Sequence, residues 1–350
     1  MPKKIAIAVS GGADSAVAAY ILKEEGYDLL GVFMHLGTKS CREDEEKARK
    51  ICGSLNIDLQ VIDISGAFQA EIIDYFIDGY KRGDTPNPCI RCNKRIKFGE
   101  LLAYIESMGC ELLATGHYAQ IKKEKEEEKM IFKLYEAEDK NKDQSYFLYN
   151  LTQGKLAKII FPLGKYKKED VLSMAKEKKL ETNKKESQDI CFISGDHNKF
   201  LKEKTGLEEG EIRDVDDNIL GKHQGLFFYT LGQRRGVNIG GTGPYYVVEK
   251  DKKKNILYVS RDKNDPRLYK NRLRSNELNW IAGKPKYKKL ECSAKIRYNM
   301  AKRKCSLTEE KDGSWEVVFQ EPVRGMSSGQ SVVLYSGEEV LGGGEISEIY

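Results

Sequence analysis

The first third of the chain alternates short apolar runs with amphipathic segments, and this pattern constrains the fold more than any other feature. The apolar runs predict strands at 4–9, 29–34, 59–64 and 111–115, and apolar residues at helical spacing predict helices at 14–25, 43–55, 67–80 and 95–108. Continuous apolar strands separated by helices are typical of a parallel sheet covered on both faces. We therefore predict a doubly wound α/β domain whose ligands bind at the carboxyl ends of the strands.

The sequence has a different texture beyond residue 204. Short runs of alternating polarity predict strands at 226–230, 245–249, 256–259, 295–298, 315–319 and 331–335. The charged run 122–129 lies between two strand-like segments and predicts an exposed hairpin tip. Because 350 residues fit two or three domains, we predict an α/β domain at 1–204, a small linking domain at 205–272 and a β-barrel at 273–350.

The composition excludes several classes of protein. With 40% hydrophobic and 32% charged residues, the chain lies in the ordinary globular range. No apolar run approaches the roughly 18 residues of a membrane helix, and the amino terminus has no signal-peptide pattern. We therefore expect a cytoplasmic protein that does not bind membranes. Eight cysteines in a reducing compartment indicate metal or thiol chemistry rather than a disulfide framework.

Positive charge is concentrated in one segment, which we call the basic block. Between Arg267 and Lys304 the chain has 13 Lys or Arg residues against only Glu277 and Glu291, although its net charge is +5. Such a block is typical of a surface that binds a phosphate backbone, because each neutralised phosphate releases counterions. The alternative is a solvated loop.

The sequence Ser-Gly-Gly-Ala-Asp-Ser at 10–15 lies between the first predicted strand and the first predicted helix. Glycines allow a close backbone approach, and successive N–H groups at a helix N-terminus bind anions. The loop therefore predicts a phosphate site, and without a following Lys-Ser/Thr it is not a Walker loop. The alternative is a glycine turn with a Ser or Asp helix cap.

The sequence Thr-Pro-Asn-Pro-Cys-Ile-Arg-Cys-Asn-Lys at 85–94 holds a Cys-x-x-Cys pair in a loop with two prolines. A helix is expected to begin near Arg95, so a thiol would lie at its positive end beside Arg91, Lys94 and Arg95. These surroundings lower the pKa of a thiol and favour the thiolate. The alternative is half a zinc site, but no second pair has zinc spacing.

The other cysteines stand alone in the sequence. Cys191 lies in the apolar stretch Ile-Cys-Phe-Ile at 190–193 and is a third thiol candidate, although a single cysteine is more often a small core residue. We interpret the remaining five as isolated structural residues: Cys41, Cys52, Cys110, Cys292 and Cys305.

Six motifs occur in the order found in tRNA-specific 2-thiouridylases. They are the loop at 10–15, Thr-Pro-Asn-Pro-x-x-x-Cys-Asn at 85–93, Ala-Thr-Gly-His-Tyr at 114–118, Lys-Asp-Gln-Ser-Tyr-Phe at 142–147, Ile-Cys-Phe-Ile at 190–193 and Thr-x-Gly-Gln-Arg at 230–234. The first also resembles the pyrophosphate (PP) loop of the ATP pyrophosphatases. With 328–330 they extend over nearly the whole chain, which is therefore identified as a member of this family.

The resemblance implies ATP-dependent 2-thiolation of the wobble uridine of tRNA. ATP with Mg²⁺ would adenylate the uracil C2 oxygen and release pyrophosphate, and AMP would leave when sulfur arrives from a persulfide. Cys191 would carry the persulfide, which a sulfur donor protein supplies, and Cys92 would be the nucleophile that forms a disulfide with it. The implied ATP-binding residues are Ala8, Val9, Ser10, Gly11, Gly12, Ala13, Asp14, Ser15, Met34 and Gly116.

The resemblance also implies a set of tRNA contacts. The target base would lie against Asn87, Pro88 and Cys89, and the remaining tRNA contacts would be His117, Lys142, Asp143, Gln144, Arg297, Tyr298 and Gln330. Arg297 and Tyr298 fall within the basic block, where we also expect Lys302 to contact a phosphate, so the C-terminal domain would bind tRNA. His117 has a second interpretation, in which it only satisfies backbone groups near a strand end.

One position departs from part of the family, because some members have Asp where this chain has Cys89. In those members the Asp is a candidate for acid–base chemistry on the target base. A thiol is a poor replacement for a carboxylate in that role, so the acid–base assignment is open for Cys89. Cys89, Cys92 and Cys191 would then be ligands of an iron–sulfur cluster, as the alternative to the persulfide relay. A non-catalytic RNA-binding redox protein is a further alternative, but it leaves the phosphate loop unexplained.

Overall fold

A computed structural model describes residues 4–126, 129–180, 190–193, 197–206, 208–234, 236–237, 239–240, 243–285 and 288–350. Its strands are β1 (Lys4–Ala8), β2 (Asp28–His35), β3 (Asp58–Asp63), β4 (Leu112–Ala114), β5 (Gln120–Glu126), β6 (Lys129–Tyr135), β7 (Ile159–Ile160), β8 (Gly210–Arg213), β9 (Ile219–His223), β10 (Tyr246–Asp251), β11 (Ile256–Ser260), β12 (Tyr269–Ser275), β13 (Asn279–Trp280), β14 (Lys289–Lys295), β15 (Arg303–Glu309), β16 (Trp315–Arg324), β17 (Ser331–Ser336), β18 (Glu339–Glu345) and β19 (Glu348–Ile349). Its α-helices are α1 (Ala13–Glu24), α2 (Cys41–Ser54), α3 (Ser65–Phe68), α4 (Tyr75–Lys81), α5 (Pro88–Cys92), α6 (Leu101–Ser107), α7 (Gln153–Leu156), α8 (Lys168–Glu177) and α9 (His197–Thr205).

The N-terminal domain is the predicted doubly wound α/β fold. Its five parallel strands have the order β3-β2-β1-β4-β7. Ile5 and Ile7 of β1 belong to the core that includes α1, whereas Ala6 belongs to the core that includes α6. The strand is thus buried on both faces, which explains why its sequence is continuously apolar. The strand order reverses at β1, and this places a ligand crevice at the carboxyl ends of β1, β2 and β4.

Two helices differ from the prediction. The helix expected near Arg95 begins at Pro88, because Asn87 caps it by accepting a hydrogen bond from the Ile90 N–H (3.2 Å). It continues through the π-helical segment Asn93–Glu100 into α6. The helix expected at 67–80 likewise joins α3 to α4 through a π-helical segment, Gln69–Asp74.

The linking domain is a four-stranded sheet with the order β10-β11-β8-β9. The strand predicted at 226–230 is wrong, because Leu226–Phe228 forms a 3₁₀ turn that follows Gly225, whose φ is +146°. The strand predicted at 295–298 is also mostly wrong. The strand β14 ends at Lys295, and a turn follows in which the Arg297 carbonyl accepts the Met300 N–H.

The last sheet has ten strands, in the order β19-β12-β16-β15-β14-β17-β18-β6-β5 with β13 paired to β18. Its β5–β6 hairpin lies far from the other strands in sequence, at 120–135, and its strands include 122–126 and 129 of the charged segment predicted as a hairpin tip. Residues 127 and 128 of that segment lie outside the described residues. Through Tyr135 and Leu134, β6 pairs with β18, a connection that the sequence did not predict.

The predicted domain boundaries stay predictions, and β12 extends across the second of them. In the described part of the chain, no helix is long and apolar enough to cross a membrane.

Candidate active site

A cleft of about 300 Å³ opens at the carboxyl ends of β1, β2 and β4. It brings together sequence-predicted residues from the nucleotide, tRNA and thiol sets: Ala8, Val9, Ser10, Asp14, Ser15, Met34, Gly116, His117, Gln144 and Cys191. Other residues that line it were not predicted: Thr38, Ser40, Cys41, Asp44, Lys97 and Thr115. The cleft therefore combines the predicted phosphate loop with one of the predicted reactive thiols.

Two glycines bring the phosphate loop close to its neighbours. Gly11 has a φ of +80°, and a Cβ there would lie 2.8 Å from the Asp44 carbonyl oxygen. A Cβ on Gly116 would lie 2.9 Å from the Asp14 backbone carbon. The loop is closed internally, since the Ser15 hydroxyl accepts the Ser10 N–H (3.1 Å). Larger residues at Gly11 or Gly116 would push apart the backbone that surrounds a bound phosphate.

The Asp14 carboxylate is held by two residues from outside the loop. It accepts hydrogen bonds from the Lys168 ammonium (2.6 Å) and from the Tyr118 hydroxyl (2.7 Å). Burial, followed by the charge of Asp14, raises the pKa of Tyr118. Lys168 is the first residue of α8 and belongs to no motif, so only the tertiary fold places its charge beside the loop.

The environment of Cys92 differs from the prediction. Burial raises the pKa of this thiol to about 12, whereas the sequence analysis expected a lowered pKa. Of the cations predicted to surround it, Arg91 and Arg95 instead form ion pairs with Glu71 (2.8 and 3.8 Å), and Lys94 is exposed. The cation that acts on Cys92 is Lys97, whose charge partly offsets the effect of burial.

Cys191 lies at the mouth of the cleft, where its side chain is exposed. Its segment is anchored by Phe192, whose ring packs edge-on against Phe68 (5.9 Å) and Phe76 (5.4 Å). Removal of water by neighbouring groups, followed by the charge of Cys89, raises the pKa of Cys191. The charges of Cys191 and Cys89 in turn raise the pKa of Cys92, so the three thiols lie within electrostatic range of one another.

Three cysteines interpreted as isolated have functional or cysteine neighbours. Cys41 lines the cleft, and its sulfur accepts the Leu36 N–H at 3.3 Å. Cys292 and Cys305 lie opposite each other on β14 and β15 with their sulfurs 3.6 Å apart. The interpretation of these three as isolated is therefore wrong. Strand pairing brings Cys292 and Cys305 together, and the start of α2 places Cys41 at the cleft.

The imidazole of His117 is buried in the wall of the cleft. Its Nδ1 lies 2.8 Å from the Thr115 hydroxyl oxygen and its Nε2 lies 3.2 Å from the Lys97 ammonium. Burial and the charge of Lys97 hold the pKa of His117 well below its usual value, so the ring is neutral. These partners are side chains, which contradicts the interpretation that His117 satisfies only backbone groups.

The residues assigned to tRNA by resemblance are dispersed. Asp143 is buried and accepts the N–H groups of Ala137 (2.9 Å) and Ser145 (3.2 Å), so its carboxylate stabilises a turn. The Gln144 side chain accepts the Tyr118 N–H (3.0 Å) and lines the cleft. Beside it in sequence, Lys142 is half-buried. Pro88 is buried in α5.

A second group of these residues lies in turns next to β14 and β17 of the C-terminal sheet. The Arg297 guanidinium donates to the Gly325 carbonyl and approaches the Gln330 side-chain oxygen at 3.4 Å. Burial lowers the pKa of Arg297 from its ordinary value. The Tyr298 ring packs 4.6 Å from that of Phe147, and this aromatic pair joins the sheet to the catalytic domain.

The basic block is less positive in three dimensions than in sequence. Many of its cations form ion pairs with acidic residues: Arg267 with Asp265, Arg272 with Glu316, Arg274 with Asp312, Lys284 with Glu309, Lys295 and Lys302 with Glu136, and Arg303 with Glu321. Lys302, for which we expect a phosphate contact, also has a structural role, because its ammonium donates to the buried Glu136 carboxylate at 2.9 Å and to the Gly337 carbonyl at 2.7 Å. Its contact with a phosphate stays a prediction.

Replacement of Lys302 with alanine is expected to destabilise the fold by about 1–3 kcal/mol, because it removes a charged hydrogen bond from a buried carboxylate. Thermal unfolding should show a lowered midpoint, whereas Lys304→Ala, at an exposed position two residues further along, in β15, should leave it unchanged. Equal stability of the two variants would contradict the structural role of Lys302.

The arrangement of the three thiols bears on the cluster alternative. Within the ranges that the structure describes, no group of three His, Cys, Asp or Glu residues is arranged to hold a metal ion. Cys89, Cys92 and Cys191 therefore do not form a preorganised cluster site in this structure.

The family models agree with this architecture. Three family models match in succession: tRNA methyl transferase HUP domain at 3–195, tRNA methyl transferase PRC-barrel domain at 198–261 and aminomethyltransferase beta-barrel domain at 270–346. Among solved structures, the U34-tRNA thiolase NcsA from Methanococcus maripaludis with its 4Fe-4S cluster is 23% identical at a TM-score of 0.37. That likeness covers 54% of this chain and 61% of that chain.

Curated relatives match over almost the full length. The tRNA-specific 2-thiouridylase MnmA of Listeria monocytogenes (serotype 4a, strain HCC23) is 41% identical over 99% of this chain and 95% of its own length. The MnmA of Bacillus subtilis (strain 168) is 39% identical with the same coverage. With the phosphate loop and Cys191 in one cleft and the similarity extending over almost the full length of the chain, the chain belongs to the tRNA-specific 2-thiouridylase family.

Proposed function

We propose that this enzyme performs ATP-dependent 2-thiolation of the wobble uridine of tRNA, with sulfur carried on Cys191. The observation that carries the proposal is the single cleft lined by the phosphate loop and by Cys191. Adenylation of the base and delivery of sulfur must occur at the same carbon, so the nucleotide and the sulfur carrier have to meet in one site.

The nucleotide would lie with its phosphates on the loop at 10–15 and its adenine near Met34. The N–H groups at the start of α1 favour the pyrophosphate that is released. Gly116 approaches the same backbone from β4. Asp14 and Asp44 are the carboxylates that line the cleft, and they would hold Mg²⁺, which would neutralise phosphate charge during adenylation.

The sulfur steps then use two thiols. The terminal sulfur of the Cys191 persulfide attacks C2 of the adenylated base, and AMP leaves with the former C2 oxygen. The Cys92 thiolate next attacks the Cys191 sulfur. The electron pair of the cleaved S–S bond stays on the sulfur attached to C2, so 2-thiouridine and a Cys92–Cys191 disulfide form together. An external dithiol must reduce this disulfide before the next turnover.

The partners follow from the exposure of the site. Cys191 is exposed at the cleft mouth, so a sulfur donor protein can reach it. The target base would be recognised near Asn87, Pro88 and Cys89 after it flips out of the anticodon stack. Tyr298 would contribute to tRNA binding from the C-terminal sheet. A cytoplasmic location stays a prediction.

The direct test is mass spectrometry of nucleosides from tRNA incubated with the enzyme, ATP, Mg²⁺ and a persulfide donor. We expect 2-thiouridine only when ATP and the donor are both present, with one AMP and one pyrophosphate released for each sulfur incorporated. Binding of tRNA without AMP release would instead favour the non-catalytic RNA-binding redox protein.

A further inference from the structure

The helix that carries Cys92 widens just after it into the π-helical segment Asn93–Glu100. In an α-helix, residues five apart in sequence point about 140° away from each other. The wider turn of a π-helix, with its i→i+5 hydrogen bonds, brings such residues closer to one face, and π-helical turns are frequent at functional sites. Lys97 lies five residues after Cys92, within the π-helical segment, and its charge acts on the Cys92 thiol.

The Lys97 ammonium is fixed in the cleft. Its Nζ lies 3.2 Å from His117 Nε2, and His117 Nδ1 lies 2.8 Å from the Thr115 hydroxyl oxygen. Because an ammonium can only donate, Nε2 must accept and the ring proton must be on Nδ1. His117 is neutral and therefore holds Lys97 without cancelling its charge. Among the residues that the structure describes, no carboxylate is within ion-pair distance of Lys97.

The charge of Lys97 acts on both reactive thiols. It lowers the pKa of Cys92, opposing the increase that burial causes, and it lowers the pKa of Cys191, opposing the increase caused by the removal of water by neighbouring groups. The other cations of this helix are placed differently: Arg91 is paired with Glu71, and Lys94 is exposed. Lys97 also lines the cleft that contains Cys191.

We propose that Lys97 is the residue that stabilises negative sulfur during the transfer, and that His117 and the π-helical turn position it. This role rests on the proposed function, because it concerns the attack of the Cys92 thiolate on the Cys191 sulfur. Before attack, the ammonium stabilises the Cys92 thiolate in a buried site. During attack, it also faces the negative charge that develops as the S–S bond breaks.

A disulfide exchange without ATP or tRNA isolates this step. Ellman's reagent converts the exposed Cys191 into a mixed disulfide with thionitrobenzoate. Attack by the Cys92 thiolate on the Cys191 sulfur then forms the Cys92–Cys191 disulfide and releases coloured thionitrobenzoate thiolate. Cys92→Ser supplies the background rate, and ATP–pyrophosphate exchange in the presence of tRNA separately reports on adenylation.

We expect Lys97→Met and Lys97→Gln to slow the release about tenfold at constant pH, equivalent to roughly one pKa unit. Lys97→Arg should restore most of the rate. The matched control Lys94→Met removes the same charge from an exposed position on the same helix and should exchange like the wild type. The thermal unfolding midpoint and the ATP–pyrophosphate exchange should be unchanged in the Lys97 variants.

The outcomes separate this proposal from the proposed function. An unchanged release rate in Lys97→Met, or an equal decrease in Lys94→Met, would overturn the role of Lys97. A loss of ATP–pyrophosphate exchange with normal release would also overturn it, because Lys97 would then serve the nucleotide. Failure of the wild type to make 2-thiouridine would instead count against the function, since the release assay uses neither substrate.

Discussion

Replacement of Cys191 with serine is expected to remove all detectable 2-thiouridine formation, and replacement of Cys92 is expected to do the same. A serine oxygen cannot carry a persulfide, and it is not ionised at neutral pH, so it cannot take the place of the attacking thiolate. The measurement is mass spectrometry of tRNA nucleosides, with ATP–pyrophosphate exchange as the control for an intact adenylation site. We expect that exchange to remain near the wild-type rate in both variants.

Cys89 separates the persulfide relay from a cluster mechanism. The relay needs only a sulfur carrier and an attacking thiol, so iron-free Cys89→Ser should retain substantial activity. A cluster held by three cysteines would lose a ligand, because serine is a poor replacement for thiolate at iron. Activity that requires anaerobic reconstitution with iron and sulfide, and that disappears in Cys89→Ser, would refute the relay.

Replacement of Asp14 with alanine should lower ATP–pyrophosphate exchange about 10²–10³-fold, by analogy with removal of one electrostatic group from other active sites. The variant loses a carboxylate of the phosphate loop and leaves Lys168 and Tyr118 without their shared acceptor. Binding of tRNA should stay close to the wild-type affinity, because the loop contacts the nucleotide rather than the tRNA backbone.

The matched control for Asp14 is Glu24→Ala, which removes a carboxylate from an exposed position at the other end of the same helix. This control should exchange pyrophosphate like the wild type. If Asp14→Ala still exchanged pyrophosphate at the wild-type rate with tRNA present, the assignment of the loop to ATP would be wrong.

Local features of the fold were predictable because they depend on neighbours in sequence. The parallel sheet followed from apolar strands alternating with helices, and the phosphate loop followed from glycines between β1 and α1. The predicted helix start near Arg95 is seven residues later than the observed start of α5 at Pro88. The Asn87-Pro88 pair is the helix-start signal that the sequence holds at this point. The turn at 226–230 was mistaken for a strand because its apolar residues also fit a strand pattern.

Tertiary features were not predictable from one sequence. Lys168 reaches Asp14 across 154 positions, and no local pattern marks it. The basic block was overestimated because charges were added along the chain, whereas Arg272 meets Glu316 across β12 and β16. The sequence predicts a lowered pKa for the Cys92 thiol, whereas its burial in the folded protein raises that pKa. Burial depends on the tertiary fold and cannot be read from the neighbouring residues.

The hairpin of β5 and β6 has a consequence for how these domains can be inherited or engineered. Because β6 pairs with β18, a cut between the catalytic and C-terminal domains would leave unpaired N–H and C=O groups on both fragments. Such open edges favour aggregation. The two domains therefore cannot be separated without exposing these edges. An exchange of the C-terminal domain between relatives would have to keep the β5–β6 hairpin together with the β18 strand that it pairs with.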